Sequence, residues 1–312
     1  MIPLNGIHHI TVLASDPQKN IDFYVGFLGL RLVKKTVNFD APDVYHFYYG
    51  DETGRPGTVL TFFPFPDATK GRRGVGETTA VAFSILPESM EYWIDRLAQH
   101  AIHFDGPVRR FNEDVLAFED PDGMMIELVA NPAAASFPVW KGSAVDPLHA
   151  PRAFHGATFA EAQHEITAKL LIETMGFRFE KQEGERYRYL IGSGETEAKI
   201  DILSQPKAYP GNQSAGSVHH IAWRVATDEG QTEWQKILSD AGMYVTSVQD
   251  RQYFHSIYFR EPGGVLFEIA TDGPGMLIDE SLSELGTRLK LPPWFEPRRE
   301  RIEQQLISVR LP

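Results

Sequence analysis

Near Ile7, Ala80, Phe154 and Val218 the chain begins short apolar runs that read as strands, each soon followed by a stretch with helical spacing. The helical stretches run from Asn20 to Leu28, Met90 to Gln99, Glu165 to Met175 and Gln231 to Ala241. Asp16-Pro17 and Pro87-Glu88-Ser89 supply helix-start chemistry, and Gly29, Gly176 and Gly242 supply stops. Beyond the first helix the chain breaks at Gly29 before Leu30-Arg31-Leu32-Val33. The other three break before Ile102-His103-Phe104, Phe177-Arg178-Phe179 and Tyr244-Val245-Thr246. Closing strands follow at Thr58–Phe62, Met124–Leu128, Ala198–Ile202 and Val265–Ile269. Three of them come after the hairpin formers Arg55-Pro56-Gly57, Asp120-Pro121-Asp122-Gly123 and Glu261-Pro262-Gly263-Gly264. The predicted unit is βαβββ, four times over, an α+β chain built by internal repetition.

At 312 residues the chain exceeds one usual core. The repeats predict an N-terminal domain over 1–132 and a C-terminal domain over 152–271, with two modules in each. The stretch from Asn131 to Pro151, rich in Ala and Pro, reads as the linker between them. From 272 to 312 a helical tail is expected, with a helix from Glu280 to Leu289, then Leu291-Pro292-Pro293-Trp294-Phe295, then a charged helical end. The formal charge of −12 gives no electrostatic support to a nucleic-acid or anionic-membrane role. No run approaches a membrane span, and Met1-Ile2-Pro3-Leu4-Asn5 lacks the basic flank and apolar stretch of a signal peptide, so a cytoplasmic protein is expected. With no cysteine, disulfides, thiolate metal sites and a Cys nucleophile are excluded together.

Chemistry enters through two His-His pairs, each where a strand opens: Gly6-Ile7-His8-His9-Ile10-Thr11 and Ser217-Val218-His219-His220-Ile221-Ala222. Strand side chains alternate between faces, so each pair sends only one imidazole toward a given core. In the first strand Ile7, His9 and Thr11 share a face, against His8, Ile10 and Val12; in the fourth module Val218, His220 and Ala222 oppose His219, Ile221 and Trp223. One His from each pair with Glu268 makes two nitrogens and one oxygen, the 2-His-1-carboxylate set that holds a divalent metal and leaves positions open. Periodicity alone does not choose between the members of a pair. Aligned by repeat, the closing strands carry Thr61, Glu127, Asp201 and Glu268 at one position. The first-strand region matching Glu127, Thr78-Thr79-Ala80-Val81, holds no His, and Asp201 also lacks one, so Glu127 reads as a hydrogen-bonded relic of duplication. His46, His100, His103, His149 and His164 show no ligand pattern and read as surface or loop residues.

Four βαβββ modules with His on first strands and Glu on a last strand resemble the vicinal oxygen chelate superfamily of glyoxalases and extradiol dioxygenases. Gly6–Thr11, Phe27-Leu28-Gly29-Leu30-Arg31-Leu32-Val33-Lys34-Lys35-Thr36 and Leu291-Pro292-Pro293 resemble, more narrowly, the hydroquinone-type ring-cleaving dioxygenases. The likeness spans nearly the whole chain and implies two vicinal-oxygen-chelate barrels. It also implies that the second His of each pair is the ligand, giving His9, His220 and Glu268 around Fe²⁺, with Mn²⁺ as an option. Many catechol-cleaving relatives take a ligand from the third module, which makes His155 the rival; laid on His8-His9, however, His155 matches His8, and Gly156 takes the ligand position. A register shift of one residue would restore His155. The implied site joins modules one and four.

By the same resemblance Tyr258 donates to or orients the substrate oxygen and Arg251 holds developing negative charge, with His8 and His219 flanking the metal. His255 takes the role of Tyr258 if the register differs, and Thr11, facing with His9, is a pocket hydrogen-bonder or strand filler. The implied partners are a small aromatic diol and dioxygen, with a homodimer left open. Two other classes stay in view: a glyoxalase-like isomerase or lyase using Zn²⁺ or Ni²⁺, and a metal-free binding protein for a planar aromatic compound.

Overall fold

Strand alternation decides which side chains meet. The computed structural model describes residues 2–311. Its first module holds β1 (Ile7–Ala14), β2 (Arg31–Asn38), β3 (Ala41–Gly50) and β4 (Val59–Pro64), and its second β5 (Glu77–Ile85), β6 (Phe104–Arg110), β7 (Glu113–Glu119) and β8 (Met125–Ala130). The third holds β9 (Phe154–Glu161), β10 (Arg178–Glu183), β11 (Arg186–Ile191) and β12 (Ala198–Ser204). The fourth holds β13 (Val218–Val225), β14 (Gln249–Asp250), β15 (Phe254–Arg260) and β16 (Leu266–Pro274). After each first strand comes a helix: α1 (Pro17–Ile21), α2 (Met90–Gln99), α3 (His164–Lys169) and α4 (Asp228–Asp240). Asp16 caps α1 by accepting from the backbone of Gln18 and Lys19, and Thr227 caps α4 through Gly230. The fourth module departs from expectation in one place. Tyr244–Thr246 forms no strand, only a bridge from Val245 to Phe259, and β14 is two residues long.

The strands form two curled eight-stranded sheets, ordered β14-β15-β16-β13-β1-β4-β3-β2 and β10-β11-β12-β9-β5-β8-β7-β6. Both are joined at their centre by an antiparallel pair, β1 with β13 and β5 with β9. Module one therefore shares a sheet with module four, and module two with module three. The hydrogen-bonded sheets thus run across the linker that separates 1–132 from 152–271 in the chain. In the first sheet Ile10, Val12, Phe62, Ile221, Trp223 and Phe267 are fully buried in the main core. The intervening positions turn to the inner face of the sheet, where Tyr48, Val59, Ala222, Phe254 and Ala270 make a second, smaller cluster.

Met276 and Leu285 of the tail join that inner cluster. Lys34 lies wholly buried on β2, and its ammonium pairs with Asp279 at 2.5 Å and with Glu280, over the face of Tyr253. Arg31 donates to the Leu282 carbonyl at 2.5 Å, and Lys290 N–H bonds the Lys35 carbonyl at 2.9 Å. These ties draw the segment along β2 and prevent the helix expected from Glu280 to Leu289; only a single 3₁₀ turn, Leu282–Glu284, forms there. Gly286, at φ +74°, brings its backbone against the Leu32 carbonyl where a Cβ would stand 1.9 Å away. The charged helical end is α5 (Arg299–Gln305). Among the described residues no helix is long and apolar enough to cross a membrane.

Removing Lys34 strands two carboxylates in a closed site, and breaking a buried pair in this way costs about 3–5 kcal/mol. Lys34→Met is expected to lower urea-unfolding stability by that amount and to open the 273–298 segment to limited proteolysis. Unchanged protease resistance would show that the tail is held by packing alone.

Candidate metal centre

His9 on β1, His220 on β13 and Glu268 on β16 are brought to one point by strand register. Antiparallel pairing sets Thr11 opposite His220 and His9 opposite Ala222, and the parallel pairing of β13 with β16 sets Ala222 opposite Glu268. His9 Nε2 lies 3.2 Å from His220 Nε2 and 3.3 Å from Glu268 Oε2, and His220 Nε2 lies 2.9 Å from Glu268 Oε2. All three residues are buried, with 2%, 4% and 0% exposure.

The remaining atoms of each group are already engaged. His8 Nδ1 meets His9 Nδ1 at 2.9 Å, and His219 Nδ1 meets His220 Nδ1 at 2.7 Å. With Nδ1 carrying the proton of that bond, each Nε2 turns a lone pair to the centre, the tautomer a metal ligand needs. Ser256 Oγ donates to Glu268 Oε1, while Glu268 Oε2 is buried with no hydrogen-bond donor aligned on it. Burial alone would push the Glu268 carboxyl up, but the two imidazoles outweigh it and hold it well below the usual carboxylate range. Burial lowers His220; burial and then His9 lower His8; burial and then His220 take His219 down to about 3.

This donor set fits a divalent ion. Ligand atoms about 2.1 Å from one ion and at right angles to each other stand about 3 Å apart. The observed triangle would suit three neighbouring ligand positions of one ion, with the side facing the cavity left for other ligands. Two neutral nitrogens and one carboxylate oxygen favour a borderline cation over a hard one.

The centre opens on a cavity of about 290 Å³, whose walls include Phe63, Phe254, Tyr258, Arg251, His46 and Tyr48. Tyr258 shares the Glu268 register position on β15 and accepts a hydrogen bond from Arg251 Nε at 3.2 Å. Burial, and then the Glu268 charge, raise Tyr258 above its ordinary value, and Arg251 offsets only part of this. Arg251 also pairs with Asp40 at 3.1 Å. Of the flanking imidazoles, His219 reaches the cavity wall, and His8 packs behind the centre against Phe254.

Two sequence expectations fare differently here. His255 lies on the opposite face of β15, paired with Asp228 at 2.6 Å, outside the cavity. His46, read from the sequence as a surface or loop residue, is instead buried in the cavity wall: its Nε2 meets Thr61 Oγ1 at 3.0 Å and its Nδ1 meets Tyr48 OH at 2.8 Å. Thr11 closes that chain through Thr61 at 2.7 Å rather than lining the cavity. The signal for His46 was present in β3, where Tyr45, Phe47 and Tyr49 alternate with His46 and Tyr48. Of the other histidines, His149 stacks on Tyr92, His164 stacks on Tyr187, His100 lies by Phe27, and His103 is exposed.

The second sheet repeats the register without the metal donors. Gly156 stands opposite Ala82, Thr158 opposite Ala80, and Ala82 beside Glu127, matching His9, His220 and Glu268 with Gly156, Ala80 and Glu127. A Cβ on Gly156 would lie 1.7 Å from the Lys199 carbonyl oxygen, so no ligand side chain fits there. Glu127 is held by both arms of Arg110 at 2.8 and 2.9 Å. Asp201 is held by Arg188, and His155 by Glu113 at 3.1 Å. Among the described residues, only His9, His220 and Glu268 gather as a metal-ligating cluster.

Residues 6–128 and 163–269 match the family model described as the Glyoxalase/Bleomycin resistance protein/Dioxygenase superfamily. Over 302 residues, 97% of this chain and 96% of the relative, the sequence is 43% identical to a Bacillus subtilis (strain 168) protein named "Putative ring-cleaving dioxygenase MhqO". It is 34% identical over 301 residues, 94% of this chain and 93% of the relative, to a Sphingobium indicum protein named "Chlorohydroquinone/hydroquinone 1,2-dioxygenase". A crystal structure described as a "putative dioxygenase" from Bacillus subtilis superposes with a TM-score of 0.96 at 41% identity, covering 100% of this chain and 99% of that one. Glyoxalase I from Zea mays, at a TM-score of 0.62 and 12% identity over 86% of this chain and 92% of that one, shares the fold. With the repeated modules, the paired sheets and the matched model in agreement, the chain belongs to the Glyoxalase/Bleomycin resistance protein/Dioxygenase superfamily.

Proposed function

We propose that this protein is a metal-dependent ring-cleaving dioxygenase that opens a hydroquinone-type aromatic diol, with Fe²⁺ held by His9, His220 and Glu268. The observation that carries the reading is the convergence of two imidazoles and one carboxylate at the floor of a cavity walled in part by aromatic rings. The names of the Sphingobium indicum and Bacillus subtilis relatives support the reaction class and the diol. Small aromatic diol and dioxygen are the partners of this reading, which also carries a cytoplasmic location. When bound, the ion would lower the pKa of a coordinated phenol and offer adjacent open positions to the diol and dioxygen.

The chain's own residues supply binding and proton control. Phe63 and Phe254 give the cavity faces against which a planar ring packs. Because Tyr258 accepts from Arg251, its own proton is free to point into the cavity, and its raised pKa keeps that proton in place at neutral pH. Ring opening needs a proton at the oxygen that leaves, and Tyr258 is the group poised to donate it. Arg251 holds a fixed positive charge beside that oxygen, in a setting partly closed to water. His8 and His219 fix the tautomer and tilt of the two imidazoles, and His219 also lines the cavity where the diol would sit.

The isomerase reading rests on the shared fold with glyoxalase I. It needs no dioxygen, so assay under argon separates the two: ring cleavage should stop completely, whereas isomerisation would persist.

Three measurements test the assignment. His9→Ala is expected to lose metal and activity together, read as metal per chain by elemental analysis after gel filtration. Full metal content in that variant would move the site elsewhere. Tyr258→Phe is expected to keep its metal and lose about 10²–10⁴-fold in single-turnover rate, the usual worth of a general acid–base group; wild-type turnover in this variant would leave Tyr258 a packing residue and point to His219. On the wild type, dioxygen uptake with methylhydroquinone should exceed that with catechol, and equal initial rates would contradict the hydroquinone assignment.

A further inference from the structure

The second sheet bears an open cavity of about 530 Å³ beside the place that corresponds to the metal centre, with Ala80, Glu127, Thr158 and Arg186 in its wall. The residues at that place differ in kind. Ala80 and Gly156 replace the imidazoles, and register puts Arg186 where the first sheet has His46 and Arg188 where it has Tyr48. Around this point four cations (Arg110, Arg186, Arg188 and Lys199) face three carboxylates (Glu113, Glu127 and Asp201). Arg110 occupies both oxygens of Glu127, and Arg188 reaches both oxygens of Asp201 as well as Glu113.

Arg186 is left with a surplus. Its side chain is only 17% exposed, and it spends Nη1 alone on the protein, giving one bond to Thr158 Oγ1 at 2.9 Å and one to Asp201 at 3.2 Å. Among the described residues its Nε and Nη2 donate to no acceptor. Burial, and then the neighbouring Arg110, push its guanidinium below the ordinary value against the opposing pull of Asp201 and Glu127. At the mouth, Arg72 donates only to the Pro210 carbonyl at 3.2 Å. Met125, Leu203, Ala208 and the exposed ring of Tyr209 give the wall its apolar part, beside the polar Thr79, Thr158 and Gln205, Arg73, and Glu127, whose carboxylate Arg110 already holds.

We propose that this cavity is a second ligand site, for a small carboxylate with a planar apolar body, bound by Arg186. The Nε and Nη2 edge of a guanidinium presents two parallel N–H bonds that match the two oxygens of a carboxylate, which a tetrahedral anion matches less well. The cavity size falls in the range of ordinary small-molecule sites. The site is separate from the metal centre and needs none of its residues.

Calorimetric titration of the metal-loaded full chain tests it, with benzoate as the probe and benzyl alcohol and inorganic phosphate as controls. Wild type is expected to bind benzoate with a Kd below about 1 mM, and to bind neither control comparably. Arg186→Lys keeps the charge but loses the fork, and about tenfold weaker binding is expected. Arg186→Met should abolish this event. Ala208→Trp, at an exposed position on the cavity wall, should block it without touching the charges, which keeps the test open if Arg186→Met folds poorly. Ring-cleavage activity should be unchanged in the Ala208→Trp and Arg186→Lys variants. Benzoate held in the catalytic cavity would survive all three substitutions. No binding by wild type, binding that survives Arg186→Met or Ala208→Trp, or phosphate bound as tightly as benzoate would each overturn the proposal.

Discussion

The antiparallel pairing of β1 with β13 is the constraint on which the rest of the molecule depends. It links the first module to the last across the whole length of the chain and brings two imidazoles within 3.2 Å of each other. A slip of one residue would turn every side chain of one strand to the other face. His9 and Thr11 would then enter the main core, and Ile10 and Val12 would face the cavity. The large apolar side chains on the core face, Trp223 and Phe267 among them, resist that slip. Hydrophobic packing on one side of the sheet thus holds the polar centre on the other in place, and Glu268 can be wholly buried because that register delivers its partners.

Much of this was legible in the sequence because repetition and period-two alternation are local signals. The four modules, the two His-His pairs and the lost ligand position at Gly156 all follow from aligning short runs with each other. Other features depend on contacts far apart in the chain. Glu280 to Leu289 has helical composition, but buried Lys34, far earlier in the chain, takes Asp279 and Glu280 as its counter-ions, and the segment folds as a run of turns in place of a helix. His46 carries no motif; its importance comes from sharing the inner face with Thr61, which only the pairing of β3 with β4 reveals. The choice between Tyr258 and His255 rested on strand phase, and the structure turns Tyr258 inward and ties His255 to Asp228.

The two sheets show how one framework carries two kinds of electrostatics. In the first, a carboxylate and two neutral imidazoles converge with their lone pairs turned inward. In the second, guanidinium groups reach the same depth and neutralise Glu127 and Asp201 from within. Both arrangements answer the cost of a buried carboxylate, one with donors suited to a metal and the other with fixed cations.

The close approach at Gly156 makes the difference between the two halves one of backbone as well as of side chain. The Lys199 carbonyl stands where any side chain at that position would begin. A single codon change cannot place a histidine there, because its Cβ would first have to push β12 aside. The second sheet is therefore barred by its own main chain from copying the donor that His9 supplies in the first, and whatever chemistry it carries must be built from other groups.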